Sequence, residues 1–125
     1  MTGRWSAAEL RLIAAARELR IAVRRADGGL RPWLPIWVVR AGDRVYVRSW
    51  HRRDTGWFGQ ALRSQRARIR VPGLDTDVTI EDVGGASPDV NADVNDAYRA
   101  KYGPGGAASM VTDAAVATTL RLDPE

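Results

Sequence analysis

An α+β fold built around a small antiparallel barrel is what this sequence predicts, and three observations carry the prediction. The chain has 125 residues, a length that suits one domain spanning residues 1–125. At least six runs have the composition or alternation of β-strands, and short turn-type segments join them. About three helical patterns interrupt these runs, without the regular strand–helix alternation of a doubly wound parallel sheet.

Ser6-Ala7-Ala8-Glu9 has the form of a capping box, and Leu10, Ile13 and Ala14 follow at helical spacing, so a helix is expected from about Ser6 to Glu18. Leu19 to Arg24 alternates with period two and reads as a strand, closed by the turn signal Asp27-Gly28-Gly29. Pro32 and Pro35 keep the next stretch extended.

Two β-rich runs then flank Gly42-Asp43, a pair suited to a two-residue hairpin loop. That loop pairs Ala41 with Arg44, Val39 with Tyr46 and Trp37 with Arg48. Ile36, Val38, Val45 and Val47 then share a core face, while Trp37, Val39, Arg44, Tyr46 and Arg48 share the other. The second face is expected to be wet, cationic and aromatic, because unpaired guanidinium groups are costly in a core.

Trp50 to Asp54 reads as a charged loop, and Thr55 can cap a short helix whose Trp57, Phe58, Ala61 and Leu62 form an apolar stripe to about Ser64. Strands are expected at Ala67–Val71 and Val78–Glu81, around a Pro72-Gly73 turn. Ser87-Pro88 marks a third helix start, with a stripe of Val90, Val94, Ala97 and Tyr98 and a stop at Gly103-Pro104. Gly103 to Gly106 reads as a helix stop and mobile lid, Gly105 to Ser109 as a flexible loop, and Val116, Thr118, Leu120 and Leu122 as a last, inward-facing strand.

Composition narrows the chemistry. There is no cysteine, and His51 is the single histidine, so thiolate chemistry, disulfides and a tetrahedral zinc site are all excluded as expectations. The net charge of +4 is carried by eighteen Arg and one Lys, Lys101. The N-terminus lacks the apolar stretch of a signal peptide, and the longest run of large apolar residues, Ile36–Val39, falls far short of a membrane span. A cytoplasmic protein is expected.

Arg44, Tyr46, Arg48 and Ser49 on one strand face, beside the free amides of a helix starting near Trp57 and Phe58, can hold a phosphate group. The rings of Trp37, Tyr46 and Trp57 can stack on a flat heterocycle. The alternative is an ordinary exposed face with scattered arginines. Ser49, His51 and Asp54 are the residue types of a hydrolase triad, but they crowd one loop and no Gly-x-Ser-x-Gly elbow is present. Asp75, Asp77, Glu81 and Asp82 are expected on a solvated strand face opposite Arg68 and Arg70. The basic run Arg63, Arg66, Arg68, Arg70 suggests nucleic acid, while the fifteen interspersed carboxylates argue against it.

Several stretches together resemble the domain-of-unknown-function family 2255: Trp5…Glu9-Leu10, Ile36-Trp37-Val38-Val39, Tyr46-Val47-Arg48-Ser49, Gly56-Trp57-Phe58 and Ala97-Tyr98-Arg99-Ala100-Lys101-Tyr102-Gly103. The resemblance covers nearly the whole chain. More distantly, the layout is similar to the FMN- and deazaflavin-binding split barrels, including deazaflavin-dependent nitroreductases.

That resemblance implies a split β-barrel binding FMN or a deazaflavin as a small oxidoreductase. Arg44, Tyr46, Arg48 and Ser49 would stand on the phosphate side and Trp57 and Phe58 at the helix start. It also implies a homodimer. Tyr46, His51 or Tyr98 can supply a proton. Trp50 to Asp54 stand between the two halves of this set and can cover or fill the groove, which leaves a cofactor-free ligand-binding barrel as the alternative.

Overall fold

A computed structural model describes residues 3–49, 56–85 and 88–125. Helix α1 (Ala7–Ala15) begins at the expected capping box: the Glu9 amide donates to Ser6 Oγ at 3.1 Å and the Ser6 amide to Glu9 Oε1 at 2.8 Å. It ends three residues earlier than its pattern suggests, because Ala16 turns extended to lead into β1 (Leu19–Val23). Leu10 and Ile13 are its buried residues. Full burial of a side chain of this kind is worth about 1.5–3 kcal/mol.

Strands β2 (Leu34–Ile36) and β3 (Val38–Ala41) are separated by Trp37 alone. The β3–β4 hairpin (β4, Arg44–Val47) has the expected register at Ala41 opposite Arg44 and Val39 opposite Tyr46, and its ladder ends at Val38 opposite Val47, short of the expected Trp37–Arg48 pair. Gly42 takes φ 63° there, the positive angle a tight two-residue turn needs and glycine adopts without steric cost. After α2 (Gly56–Ser64), β5 (Arg66–Val71) and β6 (Leu74–Asp82) pair around the Pro72-Gly73 turn. The β6 strand starts four residues before the expected Val78, because Asp75 and Asp77 stand directly opposite Arg70 and Arg68. Arg68 bonds Asp75 at 2.6 Å and Asp77 at 3.2 Å, and Arg70 bonds Asp75 at 2.9 Å, so the acidic stretch is the solvated, paired face expected of it.

Helix α3 (Pro88–Ala107) breaks at Gly103, whose φ 78° and ψ 158° lie outside any helix. The expected stop is therefore real, but the expected mobile lid is not. Pro104, preset for a first helical turn, restarts the helix, and a 3-10 turn follows at Ala108–Met110. Val116 belongs to a short fourth helix, α4 (Asp113–Val116), and the last strand, β7, begins only at Leu120 (Leu120–Pro124).

The seven strands form one antiparallel sheet in the order β2-β1-β5-β6-β7-β4-β3 that curls into a nearly closed barrel. Its two end strands are consecutive in the chain, joined at Trp37. The main core fills the barrel with Ile21, Val38, Val45, Val47, Ile69, Val78, Leu120 and Leu122, and α1 and α2 add Ile13 and Phe58. Among the described residues, no helix is long and apolar enough to cross a membrane.

Candidate functional site

The hairpin face expected to be wet is covered. Val39 and Tyr46 form a second core with Val94 and Tyr98 of α3 and with Met110. The α3 stripe read from the sequence thus packs on the outer side of β3 and β4, opposite the barrel interior. Burial raises the pKa of both Tyr46 and Tyr98, and neither phenol lines a cavity described below. The Tyr98 hydroxyl is buried without a hydrogen-bond partner among the described residues.

The same cover divides the proposed phosphate group. Arg44 lies at the far end of β4 and bonds Asp123 at 3.0 Å, in an ion cluster that continues from Asp123 to Arg121 at 2.9 Å and on to Glu81. Asp123 is 2% exposed, so Arg44 is committed to it. Arg48, four residues further along and 1% exposed, bonds neutral groups: Nε donates to Thr119 Oγ1 at 2.8 Å and Nη1 to the Met110 carbonyl at 2.8 Å. It also donates to the Asn95 side chain and, at 3.3 Å, to the Asn91 carbonyl. Its guanidinium carbon sits 5.6 Å from the Tyr98 ring centroid. Burial lowers the Arg48 pKa, and among the described residues no carboxylate pairs with it.

Arg48 reaches the wall of a cleft of about 440 Å³ at the β2–β3 junction. Ser49, Trp37 and Trp57 line that cleft with it, so the structure gathers four of the seven residues singled out from the sequence. Arg44 and Tyr46 lie elsewhere, as described, and Phe58 is buried in the barrel core. Ser49 is held through its amide, which donates to Thr118 Oγ1 at 2.9 Å. Trp37 is fixed by stacking on Tyr102, with centroids 4.1 Å apart and planes 6° from parallel. Trp50 to Thr55, and with them His51, Asp54 and the expected Thr55 cap, lie outside the described residues, as does Ser87.

Glu18, Ser109 and Met110 also line the cleft and were not legible as site residues, Ser109 because a flexible loop was expected there. The residues that hold Arg48 did leave a signal. Asn95 falls on the same helical face as Val94 and Tyr98, and a side-chain amide within an apolar stripe calls for a buried polar partner; Asn91, on that face too, meets Arg48 only through its main-chain carbonyl.

The whole arrangement matches known proteins at the level of fold. The family described as "Uncharacterized protein conserved in bacteria (DUF2255)" matches residues 9–122. No curated protein matches the chain. A conserved hypothetical protein from Mycobacterium tuberculosis superposes with a TM-score of 0.63 at 14% identity, over 99% of this chain and 81% of that one. A NimC/NimA family protein from Clostridium acetobutylicum gives 0.56 at 14% identity, over 92% and 77% of the two chains. An FAD-binding protein from Mesorhizobium loti gives 0.52 at 16% identity, over 99% and 91%. At these identities the likeness is one of fold: a split barrel.

Proposed function

Since the chain belongs to the DUF2255 family and carries this cleft, we propose that it is a flavin-type split-barrel protein that binds FMN or a deazaflavin and works as a small oxidoreductase. The observation that carries the reading is the meeting, in one cleft, of two indole rings with a buried guanidinium that no described carboxylate neutralises. The likeness in fold to an FAD-binding protein supports it.

The residues present fit such a group. A cleft of about 440 Å³ lies within the usual range for small-ligand sites. Trp37 and Trp57 offer flat apolar surface to a ring system. A guanidinium has five N–H donors, and the bonds to Thr119, Asn95, Met110 and Asn91 engage four of them. Among the described residues, one donor and the positive charge are left for an anionic group.

When bound, a flavin-type cofactor supplies hydride chemistry, and the protein supplies binding and orientation. Trp37 and Trp57 would hold the ring and shed water from it. Arg48 and Ser49 would anchor its polar side, with Glu18 at the rim.

Titration of the protein with FMN and with a deazaflavin tests the reading. Quenching of tryptophan emission and a shift of the cofactor's visible bands are expected with one of the two. Trp57→Ala, at a half-buried position, is expected to weaken that binding about tenfold by removing one stacking wall. No spectral change with either cofactor would refute the proposal and leave the cofactor-free ligand-binding barrel in its place.

A further inference from the structure

A second cavity, of about 430 Å³, opens at the other end of α2 and shares no lining residue with the first. Five arginines converge on it: Arg24 and Arg25 from the end of β1, Arg31 from the connection to β2, Arg63 from the last turn of α2, and Arg66 from the start of β5. Among the described residues, no carboxylate lines it. Two of the five are partly neutralised from outside. Arg24 bonds Asp77 at 2.6 Å and the Gly28 carbonyl at 2.9 Å, and Arg66 bonds Glu125 through Nε at 2.8 Å.

Arg25, Arg31 and Arg63 have no carboxylate partner among the described residues. The Nε of Arg31 is buried and lacks a hydrogen-bond acceptor among the described residues. A buried donor left unmade, within a cluster of like charges, is costly on both counts. An anion in the cavity would relieve the crowding of like charges, reached through the guanidinium ends that line it.

We propose that this cavity is a binding site for a compact polyanion carrying phosphate groups. Guanidinium forks arriving from three directions match the tetrahedral oxygens of phosphate better than a single planar carboxylate. The cavity is a concave, half-open pocket. Arg68 and Arg70, which would extend the positive charge along the sheet as a track for a nucleic-acid backbone, are consumed by Asp75 and Asp77. The basic run seen in the sequence therefore divides into paired residues on the sheet and a cavity-facing set.

Calorimetric titration of the full chain with pyrophosphate at low ionic strength tests the proposal, with inorganic phosphate and a short DNA duplex as parallel arms. Saturable pyrophosphate binding is expected, weakened about tenfold or more by Arg31→Gln and by Arg63→Gln, the loss of one charge-assisted contact. Arg68→Gln, on the paired face, is expected to change it less than twofold. Arg63 is exposed at a helix end, so its substitution keeps the test valid if Arg31→Gln does not fold. Absence of saturable pyrophosphate binding, equal sensitivity to Arg68→Gln, or duplex binding through the same arginines without pyrophosphate binding would each overturn it. Flavin binding measured on the same variants is expected to be unchanged, which keeps this outcome separate from that of the Trp37–Trp57 cleft.

Discussion

Lys101, the sole lysine, reaches back from α3 to the barrel wall, where Nζ donates to the Val38 carbonyl at 2.7 Å and to the Ile13 carbonyl at 3.4 Å. Burial lowers its pKa from 10.5 to about 8. At about 1.36 kcal/mol per tenfold change in proton affinity, that lowering sets a ceiling of about 3.4 kcal/mol. The amine is only half-buried and water screens it, so about 1–2 kcal/mol is the expected share in stability. Below pH 8 the charged amine is held in both states and the cost of burying it is fully present. Between pH 8 and 10.5 the folded protein releases this proton and the unfolded chain keeps it, so stability rises with pH across that window.

Lys101→Met removes the effect. Urea unfolding followed by tryptophan emission at pH 7.5 and 9.5, at constant ionic strength, compares the two proteins. The native protein is expected to gain about 0.5–1 kcal/mol relative to the variant over that interval, the rest of the effect lying above pH 9.5. Tyr46, Tyr98 and Tyr102, whose pKa values burial raises, work in the opposite sense, but only as the pH passes the ordinary phenol value of 10. They are present in both proteins. Parallel pH profiles, or a native protein that loses ground to the variant, would refute the account of Lys101 as a cation held at a cost.

Two further expectations concern stability. Gly103→Ala should destabilise the protein by about 1–3 kcal/mol, since φ 78° with ψ 158° is a glycine conformation, and open space around the new methyl group leaves the backbone as the sole source of the cost. A thermal melt unchanged within a degree would contradict it. Asp123→Ala strands Arg44 and Arg121 around a buried position and should cost about 3 kcal/mol in urea unfolding. A loss below about 1 kcal/mol would show the cluster to be no stronger than an exposed ion pair.

What the sequence disclosed was chiefly local. The β3–β4 register followed from a two-residue loop, because a turn of fixed length leaves one pairing, and the capping box followed from side chains that bond within one turn. The inward face of the hairpin was legible for the same reason. Its outward face was not, because what covers Val39 and Tyr46 arrives some fifty residues later in α3, and no periodicity links the two. Arg48 reads as a surface cation in any local window. Its burial depends on Asn95, Thr119 and the Met110 carbonyl, which only the tertiary fold brings to it. The restart of α3 at Pro104 was hidden by a glycine-rich composition that ordinarily marks a loop.

The junction at Trp37 has a consequence for how the barrel breathes. Strands β2 and β3 are its two sheet ends and share no backbone ladder. Across that line the wall is held by the Trp37–Tyr102 stack and by the Tyr102 hydroxyl, which accepts from the Val38 amide at 3.1 Å and donates to the Arg17 carbonyl at 2.7 Å. Widening the barrel there breaks side-chain contacts and leaves every strand pair zipped, so it is the cheapest local opening the architecture has. Pro35, Ile36 and Trp37 form both this line and one wall of the first cleft. Opening along this line is therefore expected to leave the amide protons of β5, β6 and β7 protected from exchange, because every one of their ladders stays paired.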